Sequence, residues 1–132
     1  MKNAFLAVFA AAAIVSCSTM STSKVGASQV NIANTKWTLA EQVTGKTLTL
    51  NVESNKITGN GGCNSYFGEL SLDPTAGNIV VKNVGATKIV CENMEVEDNY
   101  FRMLDEATKY VVNGNTLELY KGNLLLLKFI KQ

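Results

Sequence analysis

At 132 residues the chain is long enough for one domain with one core, and 46% apolar against 17% charged residues is a globular rather than a disordered composition. Lys and Arg number 12 and Asp and Glu 11, a formal net charge of +1, so the basic excess of a nucleic-acid binder is missing and no nucleic acid is expected as a partner. There is no histidine, which excludes Ser-His-Asp and Cys-His catalysis, His-ligated zinc and the usual general base near neutral pH.

Met1-Lys2-Asn3 carries one positive charge and leads into an uninterrupted apolar run over residues 4–15. That run is too short for a transmembrane helix, which needs about 20 residues, but it fits the h-region of a secretory signal. It ends Ile14-Val15-Ser16-Cys17, which resembles the bacterial lipobox, whose cysteine is acylated through sulfur and becomes the mature N-terminus. Residues 1–16 are thus expected to be a lipoprotein signal peptide and Cys17 the lipidation site, with the membrane as a partner through the lipid anchor. An ordinary signal peptide cut nearby, with Cys17 incidental, is the alternative. Removal of Lys2 with the leader leaves 12 − 1 = 11 basic against 11 acidic residues. Ser18 is compatible with sorting to the outer membrane. Residues 18–33 are rich in Ser and Thr without apolar periodicity, so residues 17–33 are expected to be a flexible tether.

The domain is expected from residue 34 to 132. Trp37, the single tryptophan, lies in the opening strand and reads as a core or barrel-end plug more readily than as a ligand platform. Thr47-Leu48-Thr49-Leu50-Asn51-Val52-Glu53 alternates strictly, placing Leu48, Leu50 and Val52 on one face. A turn at Ser54-Asn55 and a strand from Lys56 complete a hairpin that runs into Gly59-Asn60-Gly61-Gly62-Cys63-Asn64-Ser65-Tyr66-Phe67-Gly68. The glycines there imply backbone conformations that a Cβ disfavours. The stretch lacks the Lys-Ser/Thr ending of a phosphate loop.

Strands are expected on either side of the turn at residues 73–78. Residues 93–108 break the β pattern: Val96, Tyr100, Met103, Leu104 and Ala107 form one stripe of a helix. Glu92, Glu95, Glu97 and Asp98 crowd its first turns, where the helix dipole favours carboxylates, and read as a solvated helix start rather than as a metal or catalytic cluster. Three short strands with glycine-bearing turns follow, a β-meander. Leu124 to Leu127 do not alternate, so both faces of the last strand are expected to be covered, the helix being the cover. The fold class is mainly β (α+β): a small antiparallel β-barrel-like meander with one packed helix.

Gly61-Gly62-Cys63-Asn64-Ser65-Tyr66 with Gly68, then Thr87 and Cys91, Glu97, Phe101 to Leu104 and Leu117-Glu118-Leu119-Tyr120 resemble the META domain, the family of HslJ-like bacterial envelope lipoproteins. The resemblance runs over roughly residues 34–130. Some members carry Met after the threonine, where Thr87 is followed by Lys88-Ile89-Val90. It implies a compact antiparallel barrel with a packed helix, no catalytic residue, no cofactor, and a loose link to envelope stress and antibiotic tolerance.

With Cys17 lipidated, Cys63 and Cys91 remain, an even pair in an exported protein, and a disulfide between them is expected; two separate thiols are the alternative. Two thiolates without histidine leave a zinc site half built, and no metal is expected. Two function classes follow. One is a non-enzymatic envelope lipoprotein, a monomeric binding or structural module facing the periplasm, whose partner is an envelope protein or small molecule. The other is a small-molecule or peptide carrier that uses the barrel interior or mouth, with Trp37, Tyr66 and Phe67 as the ligand-binding lining.

Overall fold

The computed structural model describes residues 24–132; the leader and the lipidation site Cys17 lie outside the described residues. Eight strands and one helix follow in the order β1 (Thr35–Leu39), β2 (Thr49–Val52), β3 (Lys56–Asn60), β4 (Ser65–Asp73), β5 (Asn78–Ala86), α1 (Met94–Glu106), β6 (Lys109–Asn113), β7 (Thr116–Lys121) and β8 (Leu124–Lys131). Each strand pairs antiparallel with its neighbour in sequence, and β1 closes on β8 through Trp37↔Lys131, Thr38↔Ile130 and Leu39↔Phe129. The expected fold is the observed one, a closed eight-stranded antiparallel barrel with one helix.

Alternation along the strands fills the interior. Trp37, Leu50, Val52, Ile57, Tyr66, Leu70, Ile79, Tyr110, Leu117, Leu119 and Phe129 all turn inward and are buried. Trp37 is 1% exposed and its indole N–H donates to Thr35 Oγ1 at 2.7 Å. Each large side chain buried this way contributes about 2–3 kcal/mol by removal from water. The barrel is therefore a packed core.

One seam is thin. β5 and β6 share the single pair Asn78↔Lys109, reinforced by the Ile79 N–H on the Thr108 carbonyl at 3.1 Å and the Tyr110 N–H on the Gly77 carbonyl at 2.9 Å. Lys109 Nζ adds a bond to Asn78 Oδ1. The reason is the inserted helix, which leaves β5 at one end of the barrel and packs on β5 and β8. Two bulges bend the sheet. Asn83 (φ 52°) lies in the first, where Phe67↔Gly85 is followed by Glu69↔Lys82. Leu126 is the extra residue of the second, between Leu119↔Leu127 and Tyr120↔Leu125.

Three expectations are corrected. The tether does not run loose to residue 33. Gln29 N–H donates to the Pro74 carbonyl at 2.8 Å, Gln29 Oε1 accepts from Val112 N–H at 2.9 Å, Tyr110 donates to the Val30 carbonyl at 2.9 Å, and Ile32 is buried. This segment seals the barrel end that carries the β4–β5 turn. Its anchoring rests on one aliphatic and one amide, too little to show as periodicity. The helix is shorter than residues 93–108, because Ala107 is already extended (φ −63°, ψ 132°) and Thr108 N–H bonds the Tyr120 carbonyl. The leucine run of the last strand is not covered on both faces: Leu124 and Leu125 are exposed, and of the four leucines Leu127 alone is buried. The bulge at Leu126 interrupts the alternation, and that produces the leucine run.

Candidate functional site

The residues singled out around Cys63 converge at the end of the barrel where α1 begins. Asn64 is buried, 2% exposed, and uses every hydrogen-bonding position it has. Its Oδ1 accepts from Thr87 Oγ1 and from the Ile89 N–H, each at 2.7 Å. Its Nδ2 donates to the Ile89 carbonyl at 2.9 Å and to Glu97 Oε1 at 2.7 Å. Glu97, also 2% exposed, takes the N–H groups of Cys63 and Asn64 on its other oxygen, at 3.0 and 2.6 Å. Cys63 and Cys91 form a disulfide with a Cα–Cα distance of 6.0 Å. Three segments distant in sequence are thus fixed to one another: the β3–β4 turn, the non-helical segment between β5 and α1, and the first turns of α1.

Backbone shape makes this possible. Gly61 N–H donates to the Asn64 carbonyl at 2.9 Å and Gly62 N–H to Asn60 Oδ1 at 2.7 Å, closing a tight turn. Gly62 sits at φ +107°, and a Cβ on Gly61 would lie 2.7 Å from the Phe101 ring. Gly62→Val is expected to cost about 1–3 kcal/mol through backbone strain, read as a lowered melting temperature; an unchanged one would show that the turn tolerates a Cβ. A Cβ on Gly68 would lie 3.3 Å from each of the Ile57 side chain, the Lys82 carbonyl and the Val84 side chain, so β4 and β5 approach closely where the bulge lies.

Glu92, Glu95 and Asp98 are exposed, as a solvated helix start requires, but Glu97 is not and departs from that reading. Burial pushes its pKa up, but bonds from the Asn64 backbone, the Asn64 amide and the Cys63 backbone, with the charge of Lys46, outweigh that and hold it below the ordinary carboxylate value. The signal was present in the sequence. Glu97, Tyr100 and Leu104 stand at i, i+3 and i+7, one helical face, and all three are buried. Val96 and Met103 of the expected stripe are only half-buried.

The proposed ligand lining does not assemble. Trp37 and Tyr66 are core residues, whereas Phe67 is 62% exposed on the outer face, its ring over Gly85. Tyr66 donates to the Thr49 carbonyl at 2.7 Å, and the Tyr100 hydroxyl lies 2.9 Å from that of Tyr66. Burial pushes both phenols well up, so neither supplies a phenolate near neutral pH. Alternation puts neighbours Tyr66 and Phe67 on opposite faces of β4, so they cannot share a lining. An open groove of about 410 Å³ does exist beside the helix, between Leu39 and Val43 on one side and Val96, Met103 and Leu125 on the other. The sequence gives no sign of it, because it follows from the bulge and from the path of the β1–β2 loop. Among the described residues, no three His, Cys, Asp or Glu side chains are grouped as a metal site.

Solved structures share this architecture. A protein from Burkholderia xenovorans, determined by NMR, is 20% identical over 76% of this chain and 83% of its own, with a TM-score of 0.64. A DUF4847 family protein from Bacteroides vulgatus, determined by crystallography, is 13% identical over 75% of this chain and 93% of its own, with a TM-score of 0.56. These likenesses concern the fold. No curated protein matches the sequence. The family model of the META domain matches residues 30–132, a span that takes in the docked Val30 and Ile32 as well as the whole barrel. The chain belongs to the META domain family.

Proposed function

We propose that the protein is a non-enzymatic lipoprotein of the bacterial cell envelope, held by acylated Cys17 and presenting its META domain to the periplasm as a binding or structural module. The carrying observation is the Cys63–Cys91 disulfide, a bond that persists in oxidising compartments and is rare in the cytosol. The apolar run of residues 4–15 ending at Ser16-Cys17 supplies the export route. Two or three acyl chains, at about 0.8 kcal/mol per buried methylene, would hold the domain stably at a membrane. Ser18 supports the outer membrane, and the family resemblance supports a part in envelope stress.

The chemistry of the domain supports a binding rather than a catalytic role. Its two cysteines are bonded to each other, its buried carboxylate is taken up by three hydrogen bonds, and the chain has no histidine. Carriage inside the barrel finds no support, since the interior is filled by Trp37, Tyr100, Tyr110 and Phe129. Metabolic labelling with radioactive palmitate in a bacterial host tests the anchor. Label is expected on the wild-type protein in the membrane fraction, and Cys17→Ser should lose both label and sedimentation with membranes. A labelled Cys17→Ser variant, or an unlabelled soluble wild type, would overturn the reading.

A further inference from the structure

The segment that follows β5 is built like a strand but lacks a neighbour on one side. Thr87 N–H donates to the Ser65 carbonyl at 3.0 Å. Two residues on, Ile89 uses both its N–H and its carbonyl on the Asn64 side chain, at 2.7 and 2.9 Å. In an extended chain the N–H and C=O of one residue point to the same side and alternate along the chain. Lys88 and Val90 therefore turn their backbone groups away from the barrel. Among the described residues, no hydrogen bond runs to the backbone N–H or C=O of Lys88 or Val90.

The same segment is apolar, rigid and open. Val90 is 87% exposed and Ile89 60%, yet Cys91 is fastened by the disulfide and its N–H reaches Met94 Sδ at 3.3 Å. Free strand edges recruit other strands unless guarded by lysine, proline or a bulge. β5 itself carries such a bulge at Asn83, and Lys88 is the single charge on the edge beyond it. The side chain of Lys88 is exposed and forms no ion pair among the described residues.

We propose that Lys88-Ile89-Val90 is a recognition edge that binds an extended peptide segment of a partner protein by strand addition. The segment carries a β-branched or aromatic residue opposite Val90 and a carboxylate placed for Lys88, two residues away on the same face. Main-chain bonds to Lys88 and Val90 supply the affinity, and the cross-strand pairs supply the choice of sequence. The clamp by Asn64 and the disulfide fixes the edge before binding, so little order has to be imposed on it. The inference depends on the folded domain alone and stands apart from the lipid anchor.

Random linear peptides displayed on phage and selected on the purified domain provide the probe. Enriched peptides are expected to share an aliphatic or aromatic residue with a carboxylate two positions away. N-methylation of a synthetic peptide should abolish binding at alternate positions and be tolerated between them, the signature of a strand pair that a side-chain contact would not give. Val90→Pro removes the donor while leaving the extended geometry at Ile89 that a following proline favours; it should weaken binding at least about tenfold with an unchanged melting temperature. No enrichment, insensitivity to N-methylation, or peptides that bind Val90→Pro equally well would overturn the proposal. Self-association of the domain through this edge, abolished by the same proline, would replace the peptide by a second copy and overturn it too.

Discussion

Glu97→Ala is expected to lower the unfolding free energy by about 3–5 kcal/mol, since it strips the partners from a buried side chain and from two backbone N–H groups at once. For a domain of this size that is a fall of roughly 10–20 °C in melting temperature. Asn64 suffers most: its Nδ2 would lose Glu97 Oε1, and its N–H would lose the 2.6 Å bond to the other oxygen. Glu97→Gln keeps the shape but turns one acceptor into a donor that faces donors, so it should recover only a minor part of the loss. The acid limb of stability carries the same information. The native pKa of Glu97 is depressed by its bonds to Asn64 and Cys63 and by Lys46, against the opposing push of burial. Its contribution is therefore complete above the unfolded value of about 4.3 and disappears as pH falls through the lower native value. Denaturant unfolding measured from about pH 5 to about pH 2 should fall more gently in Glu97→Ala than in the wild type. Parallel slopes would show that another carboxylate governs acid unfolding.

Opening the Cys63–Cys91 bond is the second large effect. The bond closes a loop with a sequence separation of 28, worth roughly 3.6 kcal/mol of unfolded-state entropy on the chain-entropy model. The midpoint of guanidinium unfolding should move down accordingly on adding reductant or in a Cys63→Ser, Cys91→Ser double variant. A midpoint indifferent to reductant would show that the bond adds nothing to stability. The cost should not add simply to that of Glu97→Ala, because the disulfide and the carboxylate both fasten the β3–β4 turn at Cys63 and Asn64. Adjacent fastenings of this kind couple by about 0.5–3 kcal/mol.

Periodicity of two carried most of the barrel. Leu48, Leu50 and Val52 turn to one face and are buried, and the meander of β6 to β8 lies where its glycine turns put it. What could not be read locally was tertiary. Ile32 and Gln29 have no pattern around them, yet they seal one end of the barrel. Glu97 looked like one of four acids at a helix start, and only its helical register with Tyr100 and Leu104 sets it apart. The four leucines suggested a doubly covered strand, whereas a one-residue bulge accounts for them. Residues that fasten chain to chain were legible as a set, since Gly62, Cys63, Asn64, Thr87 and Cys91 were already grouped by family resemblance. Which surface meets a partner was not legible, because exposure is a property of the assembled barrel.

The saturation of Asn64 bears on what a family signature can mean. All four of its hydrogen-bonding positions are spent inside the protein, and both oxygens of Glu97 accept bonds from the same turn. The Asn64 side chain has nothing left over to meet a ligand. A resemblance carried by these residues speaks for a way of bracing a barrel, much as a maker's rivet identifies a frame and not its load. Chains can share the brace and differ in cargo, and the diverging information would then be written in the outward residues that the brace holds still. Here those are Ile89 and Val90, between the threonine and the cysteine of the motif, where the signature itself is silent.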